Sequence, residues 1–215
     1  FWELLNKKMN TDFTIRNETE SDFHSTEDLV RNSFWNVYKP GCSEHFVLHE
    51  LRKSKNFVPE LDFVMEKDSK LIGQIVFVKA KIFCDDGTEL SVMTFGPLGI
   101  APDFKRKGYG KKLLDYAVEK ARELGCGALF IEGNIEFYGK SGFVESKSKN
   151  IFYNDEPRQN EIPYFLCKEL IPDFLKGKTG TYRTPSEYFV SDEQVEEFDK
   201  IFEPKEKLKL PGQLF

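Results

Sequence analysis

Leu98-Gly99-Ile100-Ala101-Pro102-Asp103-Phe104-Lys105-Arg106-Lys107-Gly108-Tyr109-Gly110-Lys111 is the stretch on which the rest of the chain turns. An apolar run ends at Ile100, a loop with three consecutive basic residues follows, and two glycines open an amphipathic segment. From Gly108 to Leu124, the residues Leu113, Leu114, Ala117, Val118, Ala121 and Leu124 recur at helical period, which predicts a helix closed by Gly125. The first N–H groups of a helix have no partner inside it, and glycine lets a backbone approach a ligand closely. Strand end, basic loop and glycine-opened helix together make a place where backbone amides can hold a phosphate or pyrophosphate, with Lys and Arg adding charge. A solvated basic loop ahead of an ordinary helix is the alternative for the same residues.

Two other phosphate-binding loops do not fit. A dinucleotide fingerprint needs a glycine three residues after Gly110, where Leu113 stands. Gly133 to Gly139-Lys140-Ser141 encloses five residues where a P-loop needs four, and Gly142-Phe143-Val144 follows in place of a helix.

Working outward, Asp12 to Glu18 alternates as a half-buried strand does, and Glu20 to Trp35 carries helical periodicity. Cys42 to Lys53 predicts a second helix after the Lys39-Pro40-Gly41 break, with the aromatic loop residues Phe34, Trp35 and Tyr38 between the two. Strands are expected at Leu61 to Lys67, Lys70 to Cys84 and Glu89 to Ile100, joined by short turns that imply antiparallel neighbours. Beyond the long helix, Ala128 to Ile131 predicts a short apolar strand whose strand-helix-strand order makes a parallel crossover. A short helix or turn at Asn134 to Lys140 and strands near Phe143 to Ser146 and Ile162 to Cys167 complete an α/β chain, a mixed central sheet flanked by helices. Residues 170 to 188 are broken by Pro172, Gly177, Gly180 and Pro185, and Ser191-Asp192-Glu193-Gln194 starts a helix presenting Val195, Phe198, Ile201 and Phe202. The expected organisation is an N-terminal extension over residues 1–9, a main domain over 10–169, and a C-terminal extension over 170–215 that packs on it.

The chain has 215 residues, 31 Lys and Arg against 36 Asp and Glu, and a formal net charge of −5. An acidic chain disfavours a nucleic-acid partner, which would call for a basic face. No apolar run approaches the roughly 18 residues needed to span a bilayer, and Phe1 to Lys8 has no basic-then-apolar order of a secretory signal, so a soluble cytoplasmic protein is expected. Four well-separated cysteines (Cys42, Cys84, Cys126, Cys167) give neither a zinc pattern nor a disulfide framework. His45 and His49, four apart, lack a third ligand nearby, so no metal is expected.

The segment Lys105-Arg106-Lys107-Gly108-Tyr109-Gly110 resembles the signature of the GNAT N-acetyltransferases, Arg/Gln-x-x-Gly-x-Gly/Ala at the start of a helix after a strand. Lys105 replaces the usual Arg or Gln and leaves the backbone cradle intact. Tyr138-Gly139-Lys140-Ser141-Gly142-Phe143 is similar to the family's Tyr-x-x-x-Gly-Phe element at the expected distance. With Gly96-Pro97-Leu98-Gly99-Ile100 and the Glu196-Glu197-Phe198-Asp199 tail, the chain looks like a bacterial subgroup of predicted acetyltransferases.

The resemblance implies the acyl-CoA N-acyltransferase fold and acetyl-CoA as cosubstrate, held between two splayed strands. Leu98, Gly99 and Ile100 would hold the pantetheine or thioester carbonyl, and the amides of Lys105, Arg106, Lys107, Gly108, Tyr109, Gly110 and Lys111 the pyrophosphate. Tyr138 matches the family's proton donor to the departing thiolate; packing in the core is the other role open to it. Asn134 either bonds the pantetheine amide or caps the next helix. Glu132, at the end of its strand, is the candidate general base, with Glu66, Glu89 and Glu136 as rivals. Phe34, Trp35 and Tyr38 fall where family members bind the acceptor, a small-molecule or peptide amine; they serve that role or the core. Many family members form homodimers, and the tail could take part. A catalytically silent acyl-CoA-binding module is the alternative function.

Overall fold

The computed structural model describes residues 12–214; the extension expected over residues 1–9 lies outside the described residues. Strand β1 (Thr14–Asn17) leads through a turn of 3-10 helix at Glu20–Asp22 into α1 (Phe23–Phe34). The helix expected from Glu20 is divided there because Asp22 serves as a side-chain acceptor. It takes the Arg16 guanidinium and the Thr19 backbone N–H, at 2.7 and 2.9 Å. Helix α2 (Glu44–Leu51) follows, then β2 (Phe63–Lys67), β3 (Lys70–Cys84) and β4 (Glu89–Ile100). Helix α3 (Tyr109–Glu123) crosses to β5 (Ala128–Glu132), and α4 (Ile135–Tyr138) is a single turn.

The chain ends in four short strands and a helix: β6 (Val144–Glu145), β7 (Ile151–Tyr153), β8 (Phe165–Glu169), β9 (Gly180–Arg183) and α5 (Asp192–Asp199). Strands β7 and β9 were not expected from the sequence; β6 lies within its expected bounds, and β8 begins three residues later than expected. Pro163 sits in a turn closed by Phe165 N–H donating to Ile162 O at 3.0 Å, so strand β8 begins only at Phe165. Ile201, expected on the apolar face of α5, lies past its end and is 57% exposed.

The sheet runs β1-β2-β3-β4-β5-β8-β6, with β9 against the far half of β3 and β7 against β9. Pairing is antiparallel except between β4 and β5 and between β7 and β9. Alternation along the strands sorts the side chains onto two faces. Ile75, Phe77, Phe95, Leu129 and Leu166 pack with Leu113, Leu114 and Ala117 of α3. Val76 and Val78 meet Leu29, Val30 and Leu48 of α1 and α2, while Phe130 and Cys167 meet Tyr182 of β9.

Strand β9 thus belongs to the sheet, and α5 is tied to the same face. Ser191 caps α5 reciprocally with Gln194, at 3.2 Å in each direction. Asp199 at its end receives Arg31 of α1 through two bonds, Nε at 2.6 Å and Nη2 at 2.9 Å. His45 Nε2 of α2 stands 2.9 Å from the same carboxylate. Residues 205–213 then run along the α1–α2 loop, where Glu206 O accepts from Trp35 Nε1 at 2.9 Å and Asn36 Nδ2 at 3.0 Å.

Candidate active site

Strands β4 and β5 are paired only at Met93–Leu129 and Thr94–Phe130. Beyond Thr94, β4 carries an extra residue relative to β3, where Phe77 faces Phe95 and Ile75 faces Leu98. A bulge bends its strand, and here it leaves Leu98 to Ile100 parted from the end of β5. Successive amides of a strand point to opposite edges. Ala101 N–H donates to Ile72 O on the β3 side at 2.8 Å, so Gly99 faces β3 as well, while Ile100 and Leu98 face the opening. Ile100 N–H is taken by Ser33 Oγ of α1 at 3.2 Å. Of the three expected residues, Leu98 therefore offers the N–H that points into the gap. Gly99 serves packing: a Cβ there would meet Val30 Cγ2 at 3.2 Å.

The basic loop enters α3 through two left-handed residues, Arg106 at φ +59° and Gly108 at φ +86°. Among the described residues, nothing accepts from the backbone N–H groups of Arg106 through Lys111; the first bond of α3 runs from Lys112 N–H to Gly108 O at 3.2 Å. Those are the amides that the sequence reading assigns to the pyrophosphate. Several of the side chains there turn elsewhere. Lys105 Nζ donates to Ser33 O, Tyr109 is buried with its hydroxyl donating to Asp12 Oδ2 at 2.7 Å, and Lys111 pairs with Asp115. Arg106 and Lys107 stay exposed at the loop's outer side.

Tyr138 stands on the α3 face of the gap, its ring edge-on to Phe95 and Phe143 at centroid distances of 5.9 and 5.7 Å. The ring packs against the core, and the hydroxyl has no hydrogen-bond partner among the described residues. Burial raises its pKa well above the ordinary phenol value, and Tyr38 adds to the rise across the gap. Asn134 caps α4, its Oδ1 accepting from Glu136 N–H at 2.8 Å.

Glu132 is exposed at the end of β5, on the same face as Phe130 and therefore opposite Tyr138. Thr184 Oγ1 donates to Glu132 Oε1 at 3.3 Å, and the Tyr153 hydroxyl lies against both. The rivals sit elsewhere. Glu66 binds Arg16 at 2.8 Å, Glu89 pairs with Lys81 at the far end of β4, and Glu136 is on the first turn of α4.

Phe34 and Tyr38 pack at 6.2 Å between centroids beside the gap. Trp35 is covered by the tail, with the Arg31 guanidinium 4.3 Å from its ring and Lys205 5.5 Å away. Residues the sequence did not bring here are Ser33, Tyr153, Thr184 and Tyr188, the last donating to Gly96 O at 3.0 Å within the bulge. Only Tyr153 carries a strand signal, alternation over three residues in β7; Ser33 lies in α1, Thr184 just past β9 and Tyr188 in a 3-10 turn. No group of three or more His, Cys, Asp and Glu residues able to hold a metal occurs among the described residues. No helix among them is long and apolar enough to cross a membrane.

A mixed sheet parted beyond a bulge, with unclaimed helix amides beside the gap, defines the acyl-CoA N-acyltransferase class. The model of the acetyltransferase (GNAT) family matches residues 27–143, more than half of the chain. The chain belongs to this family and is an N-acetyltransferase. Among its relatives is the uncharacterized N-acetyltransferase YjhQ of Escherichia coli strain K12, 27% identical over 132 residues, which are 61% of this chain and 69% of that protein. The fold is shared with the GNAT family N-acetyltransferase YhbS from Escherichia coli, solved in complex with CoA: TM-score 0.71, 21% identity, 82% of this chain and 92% of that one. It is shared also with a GNAT family acetyltransferase from Brucella melitensis in complex with acetyl-CoA: TM-score 0.64, 22% identity, 82% and 98% coverage.

Proposed function

We propose that the enzyme moves the acetyl group of acetyl-CoA to a primary amine by direct attack in a ternary complex. The observation that carries this reading is the run of unclaimed amides from Arg106 to Lys111 beside the parted strands. Those amides would hold the pyrophosphate, and Arg106 and Lys107 would add charge. Acetyl-CoA supplies a thioester whose carbonyl carbon the amine attacks and whose sulfur leaves.

The protein's part is to orient and to move protons. Leu98 N–H would donate to the carbonyl oxygen as it gains charge, a contribution of about 3 kcal/mol at comparable sites. Glu132 would take a proton from the incoming ammonium, which leaves the nitrogen lone pair free to form the amide bond as the C–S bond breaks. Tyr138 Oη would pass its proton to the sulfur and recover one from solvent. The phenol is protonated at neutral pH, and burial holds its pKa above the ordinary value. Phe34 and Tyr38 would border the acceptor. The four cysteines are buried and unpaired, in keeping with a reducing compartment such as the cytoplasm.

The test is calorimetric titration of acetyl-CoA and CoA with ATP as control, followed by steady-state assays over a panel of amines. Micromolar binding of acetyl-CoA without ATP binding, and turnover that falls in Tyr138→Phe while acetyl-CoA affinity is kept, is the expected result. Absence of CoA binding would overturn the cradle assignment. Binding without turnover on any amine would make the protein a silent acyl-CoA-binding module.

A further inference from the structure

The residues around Glu132 come from outside the family match, which ends at Phe143. On the face opposite Tyr138, the carboxylate is met by Thr184 at 3.3 Å and by the Tyr153 hydroxyl. Thr184 is itself fixed to Asn154 twice: its N–H donates to Asn154 Oδ1 at 2.8 Å, and its Oγ1 accepts from Asn154 Nδ2 at 3.0 Å. Beside them Tyr164 is 46% exposed, with its ring edge-on to Tyr153 at 5.9 Å. Gly133 N–H donates to Tyr164 O at 2.8 Å, which holds Tyr164 next to the end of β5. Tyr188 closes the side toward β4 through its bond to Gly96 O.

Glu132 makes no salt bridge with any Lys, Arg or His among the described residues, and the nearby Arg183 and Arg158 are paired with Asp155 and Asp85. One acidic group flanked by tyrosine rings and hydroxyls is the chemistry that recognises an alkylammonium: charge on the carboxylate, the cation against aromatic faces, the chain along the rings.

We propose that Glu132, Tyr153, Tyr164 and Thr184 form a recognition site for a primary ammonium group, so that the segment after residue 150 selects a cationic alkylamine as acceptor. This rests on the acetyl-transfer reading above and deepens it. The ammonium docks on one face of the sheet, and Tyr138 stands on the other, with the gap between β4 and β5 joining them. The carboxylate that binds the cation is then the one placed to take its proton.

The experiment uses hexylammonium and hexan-1-ol as probes, titrated into the full chain with and without saturating CoA and followed by NMR shift perturbation. Wild type is expected to bind hexylammonium at least tenfold more tightly than hexan-1-ol. Tyr164→Leu should weaken hexylammonium about fivefold, whereas Tyr164→Phe, which keeps the ring face, should restore wild-type affinity. Thr184→Val should weaken it as well, by freeing the Glu132 carboxylate from its set orientation. Equal affinity for the two probes, binding of neither, or a Tyr164→Leu variant indistinguishable from wild type would overturn the proposal. Failure to bind CoA would count against the cradle alone, since probe discrimination is also read without CoA.

Discussion

The ring of Tyr138 lies across Gly133 so closely that a Cβ built on Gly133 would stand 2.2 Å from Tyr138 Cε2. No hydrogen bond from a described residue holds the phenol, so the place of its hydroxyl is set by packing: Phe95 and Phe143 on its flanks and the bare glycine beneath. Gly133 does not lie in the left-handed region, so alanine there costs little in backbone conformation and acts on the ring. Gly133→Ala is expected to push the hydroxyl out of line and to lower kcat about 100-fold, the cost of a misplacement of roughly 1 Å. Acetyl-CoA affinity, measured by calorimetry, should stay within a few-fold of wild type. A variant with normal kcat would show that Tyr138 does no work in the reaction.

The proposed cradle is made of backbone, and the two kinds of substitution within it should separate. Lys105→Ala removes a side chain that is turned toward Ser33 O, and CoA affinity should change by less than about threefold. Gly108→Ala places a Cβ on a residue at φ +86°, which costs about 1–2 kcal/mol and shifts the amides at the head of α3. CoA binding should weaken about tenfold. Calorimetry on the two variants decides it, and the opposite order would return the pyrophosphate contact to the lysine side chain.

Asp199 holds the tail to the first two helices. Arg31 is 1% exposed and His45 fully buried, and both reach the same carboxylate. Removing one partner of a buried ion pair leaves an uncompensated charge and costs about 3–5 kcal/mol. Asp199→Ala should therefore lose that much in urea denaturation, with Asp199→Asn losing less because its amide oxygen can still accept from Arg31. An unchanged midpoint in Asp199→Ala would show that α5 is an ornament on the domain.

Glu18, Glu27, Arg52 and Asp62 form a buried cluster between β1, α1 and α2, where one guanidinium serves two carboxylates at 2.7 to 3.0 Å. Burial first, and then the neighbouring Glu18, hold the Asp62 carboxyl well above its ordinary range. A carboxyl raised on folding binds more protons in the native than in the unfolded state, so its contribution is fully present below the ordinary carboxylate pKa and is lost as pH rises toward the raised value. Asp62→Asn keeps a donor for Glu18 and an acceptor for Gln74 while removing the titration. Wild type should lose stability relative to this variant between pH 5 and pH 8, measured by urea denaturation. A constant difference across that range would contradict the assignment.

The legible part of this protein was local. Helix α3 showed in the sequence because its apolar residues recur every three or four positions over four turns, and the glycine-opened loop before it because a strand end, a basic run and two glycines stand within a dozen residues. The long antiparallel strands β3 and β4 showed for the same reason, since alternation and a tight turn need no knowledge of distant chain. Tyr138 was named through the family resemblance and Glu132 from its place at the end of a strand, but their placement on opposite faces of the gap could not be read.

What only the tertiary structure decided is the set of relationships between residues far apart in sequence. β9 is four residues long and exists as a strand because it pairs with the far half of β3 and with β7. Lys105, by its chemistry a phosphate ligand, is turned to Ser33 O, and Trp35, by its chemistry an acceptor platform, lies beneath residues 205 and 206. Thr184 reaches Glu132 across 52 positions, and Asp199 reaches Arg31 across 168. Periodicity and turn chemistry act through neighbours and so can be read along the chain. Which side chain fills a gap, covers a ring or neutralises a buried charge is settled only when the sheet has brought its edges together.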